Sequence, residues 1–396
     1  MKREAKAALA DLPASQVARM VARREVSAVE VIEAALARVE RHNPTLNALV
    51  TLNPRALEEA KALDRRLKRR EKPGLLYGLP VGIKDVTPVA GIRTTYGSPI
   101  YRDHVATEDA VIVERLKAAG AIVLGKTNTP EFAAGGNTWN EVFGRTRNPW
   151  DTARSAGGST GGGCAALASG MIALAEGTDL GGSLRIPASF CGVVGLRPTV
   201  GLVPTHPSGW VWDTLQVSGC VARTAEDVSL TLRAVAGAHP AAPLGHLAAS
   251  KPRARGRGPR QPLRLAYCAD LAGLGVDPDV ERVCREAAMS LEDARVRVET
   301  VQLDLAFARK AFLALRGLWF LVWMYPLLGQ MERLGVNVAN NVRSGMRLTT
   351  KDLAAAEVAR GRLWHQFREF FEKHDHLLTP CMAVPPFPVE QNYPET

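Results

Sequence analysis

The sequence predicts an α/β fold, a β-sheet covered by helices. Three observations carry this. Beyond Pro73-Gly74, short apolar runs of strand length alternate with segments of helical periodicity. The 396 residues are 46% apolar, enough for a substantial buried core. No uninterrupted apolar run reaches the roughly 18–20 residues that would span a bilayer.

Residues 1–72 read as an N-terminal helical layer, with helices over 17–24, 28–42 and 54–70. The second has a start signal, Ser27 with Glu30 three residues on. Residues 73–396 read as the α/β domain, with its central motifs in 79–237. Strands are expected at 79–83, 121–125, 171–175 and 192–196, and helices at 110–119, 164–169 and 225–235. The Pro/Gly/basic stretch 238–262 reads as a loop excursion. Strands at 263–268 and 296–301 then flank a helix at 279–291. The most apolar stretch, 311–328, is interrupted by Arg316 and Pro326 and reads as a buried or pocket-lining helix.

Composition narrows the function classes. Of the formal charge of +10, half sits in Lys251, Arg253, Arg255, Arg257 and Arg260. That run lacks aromatics for base stacking, so it reads as solvated, and no nucleic-acid partner is expected. The six cysteines form no Cys-x-x-Cys pair, which argues against a disulfide scaffold or zinc ribbon. No metal and no cofactor are expected. The start Met1-Lys2-Arg3-Glu4 lacks a signal-peptide pattern, so a cytoplasmic setting without membrane association is the simplest expectation.

Two glycine-rich loops bear serines: Gly157-Gly158-Ser159-Thr160-Gly161-Gly162-Gly163 and Gly177-Thr178-Asp179-Leu180-Gly181-Gly182-Ser183-Leu184-Arg185. Each sets exposed backbone N–H groups beside a hydroxyl, and a helical pattern follows the first. A phosphate loop would need Lys-Ser or Lys-Thr after its last glycine, where Cys164-Ala165 stands. Gly157 to Gly161 matches Gly-x-Ser-x-Gly, yet the α/β-hydrolase elbow requires a preceding strand, and residues 147–154 are a polar, proline-containing loop. A nucleophilic serine needs a base. His374 and His376 flank Asp375 and read as solvated or partly packed, whereas Lys84 ends the apolar run Leu79-Pro80-Val81-Gly82-Ile83. Burial at a strand end would lower its pKa and leave a neutral amine able to take a proton. On the residues alone, a paired structural lysine fits as well.

Lys84 in Gly82-Ile83-Lys84-Asp85 and the two serine loops together resemble the amidase-signature family, whose apparatus is a Ser–cis-Ser–Lys triad. The spacing agrees, with 75 residues from Lys84 to Ser159 and 24 from there to Ser183. Supporting stretches are Gly125 to Phe132, Asn148-Pro149-Trp150-Asp151 and Cys191 to Thr199. The resemblance implies a central mixed β-sheet with helices on both faces. It implies an amidase, a hydrolase of carbon–nitrogen bonds other than peptide bonds, that splits a small-molecule amide into acid and ammonia or amine. Ser183 would be the acylated nucleophile, with Ser159, preceded by a cis peptide, relaying its proton to Lys84. Backbone N–H groups of Leu180, Gly181, Gly182 and Ser183 would form the oxyanion hole, with Thr178, Asp179 and Arg185 in support. A homodimer is compatible with this reading.

The chain departs from the family pattern at Thr160 and Gly163, where serines are usual, and at Gly219-Cys220, where Gly-Pro is common. The stretch 377–380 resembles a strand and loop that family members follow with on the order of a hundred further residues, so a missing C-terminal part is expected. Two alternatives follow. One is a truncated, inactive family member. The other is the amidase component of a tRNA-dependent amidotransferase, disfavoured by Thr214-Leu215-Gln216 where such components tend to carry Ser-Leu-Asp.

Overall fold

A computed structural model describes residues 8–246 and 262–394. The basic run 251–260 lies outside them. The chain divides into two units, Met1–Pro252 with Pro386–Thr396, and Arg253–Pro385. The division differs from the boundary expected at 72/73, for a physical reason visible in the first unit.

Helix α1 (Ala14–Ala22) leads to α2 (Ala28–Leu46), which starts with the reciprocal Ser27–Glu30 capping box that the sequence indicates. The α2 start is also tied to Asp64, which accepts the N–H groups of Ala28 and Val29. After α2 the Asn43 side chain accepts the Ala48 and Leu49 N–H groups and turns the chain into strand β1 (Leu49–Leu52). This strand went unanticipated within the expected helical layer. It pairs antiparallel with β3, so the first seventy residues contribute an edge strand to the main sheet and share its core. Helix α3 (Ala56–Lys68) follows.

The remaining elements of this unit are β2 (Pro80–Lys84), α4 (Val111–Ala118), β3 (Ile122–Thr127), a short hairpin of β4 (Trp139–Asn140) and β5 (Gly144–Arg145), α5 (Gly161–Ala168), β6 (Leu174–Asp179), α6 (Ile186–Cys191), β7 (Val194–Leu196), β8 (Val217–Ala222) and α7 (Ala225–Val235). Six strands form a sheet in the order β1-β3-β2-β6-β8-β7, with β2 parallel to β3 and β6 and the other neighbours antiparallel. The sheet is mixed and flanked by helices. Residues of β2, β3, β6 and β8 are buried throughout, as strands covered on two faces must be.

Strand β6 lies three to four residues beyond its expected place. Its second half, Gly177-Thr178-Asp179, reads as the start of a glycine-rich loop but pairs residue by residue with β8. Strand β8 itself (Val-Ser-Gly-Cys-Val-Ala) carries too little β-branched or aromatic signal to be seen in the sequence. The consequence is functional, because β6 carries the second serine loop directly off its C-terminal end.

Residues 386–391 return to the first unit. Phe387 C=O accepts the Ser155 N–H at 2.8 Å, the Val389 N–H donates to Ala153 C=O at 2.9 Å, and the Asn137 amide donates to Val389 and Gln391 C=O at 2.9 and 2.7 Å. Phe387 and Val389 are buried.

The second unit has its own parallel sheet, β10-β9-β11, made of β9 (Leu263–Tyr267), β10 (Val296–Thr300) and β11 (His376–Leu378), with α8 (Pro278–Met289) between β9 and β10. Three further helices are α9 (Ala306–Trp323), α10 (Val336–Met346) and α11 (Thr350–Lys373). The apolar stretch expected as one helix over 311–328 breaks after Trp323 into the 3-10 segment Tyr325–Arg333, bent by 91°. Pro326, lacking an N–H, cannot continue an α-helical ladder. Among the described residues no single helix is long and apolar enough to cross a membrane. Helices α9 and α10 touch at Gly317 and Gly345, where a Cβ on Gly345 would stand 2.2 Å from the Gly317 carbonyl oxygen.

The start of α1 depends on Asp227 of α7, a buried carboxylate that accepts the N–H groups of Ala14 at 3.0 Å and Ser15 at 2.7 Å. Asp227→Ala is expected to lower stability by about 2 kcal/mol, read as a lower urea midpoint. Glu226→Ala, which removes only an exposed pair with Arg19, should stay within about 0.5 kcal/mol of wild type.

Candidate active site

Strands β2 and β6 run parallel and end side by side, so their last residues deliver side chains to one place. Lys84 is the last residue of β2 and has no exposed surface. Its Nζ donates to Ser159 Oγ at 2.7 Å, to Thr178 Oγ1 at 3.0 Å and to Thr178 C=O at 3.4 Å. Burial depresses the amine from its ordinary 10.5 to about 8, against the opposing pull of the Glu176 and Asp179 carboxylates. Such an amine is substantially neutral in mildly alkaline water and can take a proton.

Ser159 stands just before α5, also fully buried, and the Gly158–Ser159 peptide is cis. The loop is held from several sides. Thr138 Oγ1 donates to Gly157 C=O at 2.8 Å and accepts the Gly161 N–H at 3.1 Å. The Ser155 hydroxyl accepts the Gly157 N–H and donates to Asn137, the same asparagine that binds residues 389 and 391.

Ser183 lies between β6 and α6 and is partly exposed. Its C=O accepts the Thr160 N–H at 3.3 Å, which sets the two serine loops against each other. Its hydroxyl makes no hydrogen bond to Ser159 among the described residues, so the structure joins Lys84 to Ser159 directly and Ser183 to them through the backbone. The preceding residue, Gly182, takes φ +111°, a conformation that side chains other than glycine's rarely adopt, and a Cβ there would stand 2.9 Å from Ile186.

Asp179 shapes this turn. Fully buried, it accepts the Gly182 N–H at 2.8 Å, the Leu184 N–H at 3.2 Å, and both Nε and Nη2 of Arg185 at 2.9 Å. Arg197 Nη1 reaches its carboxylate at 3.4 Å and also binds its carbonyl oxygen. Burial pushes the Asp179 carboxyl up, but these hydrogen bonds and guanidinium charges outweigh it and hold the group below the usual carboxylate range. Gly182 is one of the expected oxyanion-hole donors, and in this structure its N–H donates to Asp179. The N–H groups of Gly181 and Ser183 carry no such bond among the described residues, and Gly181 is exposed. Leu180, at the strand end, is half-buried. Thr178, Asp179 and Arg185 thus all lie at the site, and Arg197 joins them. Sequence reasoning included Leu196-Arg197-Pro198 only as a supporting stretch.

Reasoning from sequence also missed a set of buried ionisable groups beneath Lys84. Lys126 on β3 is as deeply buried and is depressed by burial to about 8 as well. What separates the two lysines is their partners. Lys126 binds Thr87 C=O, Thr94 Oγ1 at 3.1 Å and, at 3.9 Å, Asp85, none of them a serine hydroxyl. Glu176 on β6 accepts the Lys84 backbone N–H at 3.1 Å and the Thr87 hydroxyl at 3.0 Å. Alternation along β6 puts Glu176 and Thr178 on one face, a pairing hidden by the loop-like look of the stretch. Among the described residues no group of three or more His, Cys, Asp or Glu is placed to hold a metal ion.

Asp179→Asn would strip the charge from a buried clamp that organises two N–H groups and two guanidiniums. A stability loss of about 2–4 kcal/mol is expected by chemical denaturation. The loss should exceed that of Arg185→Gln, whose side chain is 46% exposed.

Comparison with known proteins agrees with this geometry. The chain is 36% identical over 404 residues to an acylamidase of Rhodococcus erythropolis, covering 97% of this chain and 81% of that protein. It is 45% identical over 230 residues to a component of the glutamyl-tRNA(Gln) amidotransferase of Carboxydothermus hydrogenoformans, covering 58% of this chain and 47% of that component, so the likeness spans about half the component's length. The crystal structure of a bacterial aryl acylamidase of the amidase-signature enzymes shares the fold, with a TM-score of 0.87 at 24% identity over 96% of this chain and 82% of that one. Residues 30–395 match the family model described as Amidase. A buried lysine bound to a serine at the end of a mixed sheet, and a family match over nearly the whole length, lead to one conclusion: the chain belongs to the amidase family.

Proposed function

We propose that this amidase hydrolyses a small-molecule amide through an acyl-enzyme on Ser183, with Ser159 and Lys84 as the proton relay. The observation that carries the reading is the 2.7 Å contact between the buried Lys84 amine and Ser159 Oγ, in a loop bonded to Ser183. In the first step Ser183 Oγ attacks the amide carbonyl carbon. Its proton passes to Ser159 Oγ as the Ser159 proton passes to the lone pair of Lys84 Nζ. The mechanism requires the Ser183 hydroxyl to come within hydrogen-bond reach of Ser159 Oγ, a tightening common when substrate binds.

The carbonyl oxygen becomes an oxyanion, for which the Leu180, Gly181 and Ser183 N–H groups are candidate donors; losing one such donor typically costs about 3–4 kcal/mol. Collapse of the tetrahedral intermediate breaks the C–N bond, and the relay runs backward to protonate the leaving amine or ammonia. Water then attacks the ester carbonyl, losing its proton to the relay, and the acid departs with Ser183 restored. Lys84 returns to its starting state, so the cycle needs no outside oxidant or reductant. Thr178 holds the amine in line while Asp179, with Arg185 and Arg197, holds the turn that presents Ser183.

Acyl amides are the first substrates to test, given the acylamidase relative, and a cytoplasmic monomer or homodimer fits this chemistry. The likeness to the amidotransferase component keeps glutamine as a second candidate, since the same relay would release ammonia from a primary amide. Hydrolysis of glutamine in preference to aryl and alkyl amides would favour it.

Two outcomes follow. A fluorophosphonate should label wild-type protein at Ser183, fail on Ser183→Ala and react at least about 100-fold more slowly with Lys84→Ala, as loss of a general base implies. Labelling at Ser159 instead would overturn the assignment. Because Lys84 must be neutral to accept a proton and titrates near 8, kcat/KM should rise with pH through that region and level off above it.

A further inference from the structure

We propose that Glu176 is the positioning residue of the relay lysine, fixing the Lys84 main chain and supplying the buried negative charge against which the Lys84 amine exchanges its proton. The inference rests on the assignment of Lys84 as the base. Two residues on one face of β6 grip Lys84 at both ends. Glu176 Oε2 accepts its backbone N–H at 3.1 Å, and Thr178 Oγ1 accepts from its Nζ at 3.0 Å. Glu176 is 1% exposed; burial pushes its carboxyl up, while the Thr87 hydroxyl, the charges of Lys84 and Lys126 and the Lys84 N–H pull it back toward the ionised form.

Its other oxygen takes the Thr87 hydroxyl at 3.0 Å. Thr87 is a junction, donating its N–H to Lys84 C=O at 2.9 Å and accepting from Lys126 through its own C=O. One carboxylate thereby braces both the residue that carries the amine and the turn that follows it.

The other ionisable groups around Glu176 are already committed. On the turn after β2, Asp85 faces Lys126 at 3.9 Å and takes the Thr95 hydroxyl and N–H, so Lys126 has a counter-ion of its own. On β6, Asp179 is occupied by Arg185 and Arg197. Cys164 on α5 and Cys220, the register partner of Glu176 on β8, are buried thiols that burial pushes up, Cys220 to about 12, so they stay uncharged. Glu176 remains as the carboxylate fastened to the Lys84 peptide. When Lys84 becomes an ammonium during acylation, the charges that favour it are those of Glu176, the larger influence, and Asp179.

The test is the pH dependence of two rates in Glu176→Gln, which keeps size and loses charge: kcat/KM for an aryl amide, and the rate of Ser183 labelling by a fluorophosphonate. Without the carboxylate the ammonium is less favoured, so the acid limb of both profiles should move to lower pH by on the order of one unit. A folded Glu176→Gln protein whose acid limb coincides with wild type overturns the inference. If that variant does not fold, Thr87→Val weakens the carboxylate's hold while leaving it in place, and should move the limb the same way by less. An unmoved limb there is equally fatal. Lys84→Ala separates the two levels of the argument: a wild-type rate and limb in that variant refute the lysine relay itself, whereas its loss together with an unmoved limb in Glu176→Gln refutes only the role of Glu176.

Discussion

The site depends on keeping a lysine amine out of water. An exposed lysine is charged at physiological pH and cannot act as a base. Placing Lys84 at the end of a strand with parallel neighbours on both sides, and with no surface exposed, takes away the hydration that stabilises its ammonium form. The energetic penalty is borne by the sheet, whose fully buried strands could not be rearranged to let the amine escape without breaking the hydrogen bonding that joins β2 to β3 and β6. The depressed amine is therefore a property of the architecture, and Ser159 is bonded directly to it.

A second constraint is the conflict between flexibility and order in the glycine-rich loops. Glycines let the backbone turn tightly and leave N–H groups open, but they also make the segments conformationally free. Asp179 removes that freedom in one loop by collecting two backbone N–H groups and two guanidiniums at one buried carboxylate. Thr138, Ser155 and Asn137 do the same for the other. Each loop is rigid because short polar side chains substitute for the packing that glycine cannot supply.

Much of this was legible in the sequence, because the residues that do chemistry lie in motifs with distinctive composition. The Ser27–Glu30 cap, the apolar run ending at Lys84 and both serine loops could be placed by local rules. What stayed hidden depends on pairing across long separations. Strand β1 looks like the tail of a helical layer until β3 is beside it. Gly177 to Asp179 look like loop until β8 completes the ladder, and with them the alternation that aligns Glu176 with Thr178 was lost. Nothing local shows that Asp179 turns back to take the Gly182 N–H. That no division falls at 72/73 was hidden for the same reason, since a core shared by the first seventy residues and the sheet leaves no mark in composition, whereas the division after Pro252 lies within the Pro/Gly/basic stretch that the sequence does mark.

The return of residues 386–391 to Asn137 and Ser155 has a consequence for biosynthesis. The loop that carries Ser159 is braced from a point more than two hundred residues later in the chain, so its final hydrogen bonds cannot form while that segment is still in the ribosomal tunnel. The nascent sheet can assemble early, but the loop that carries Ser159 gains its last braces only once that late segment has emerged.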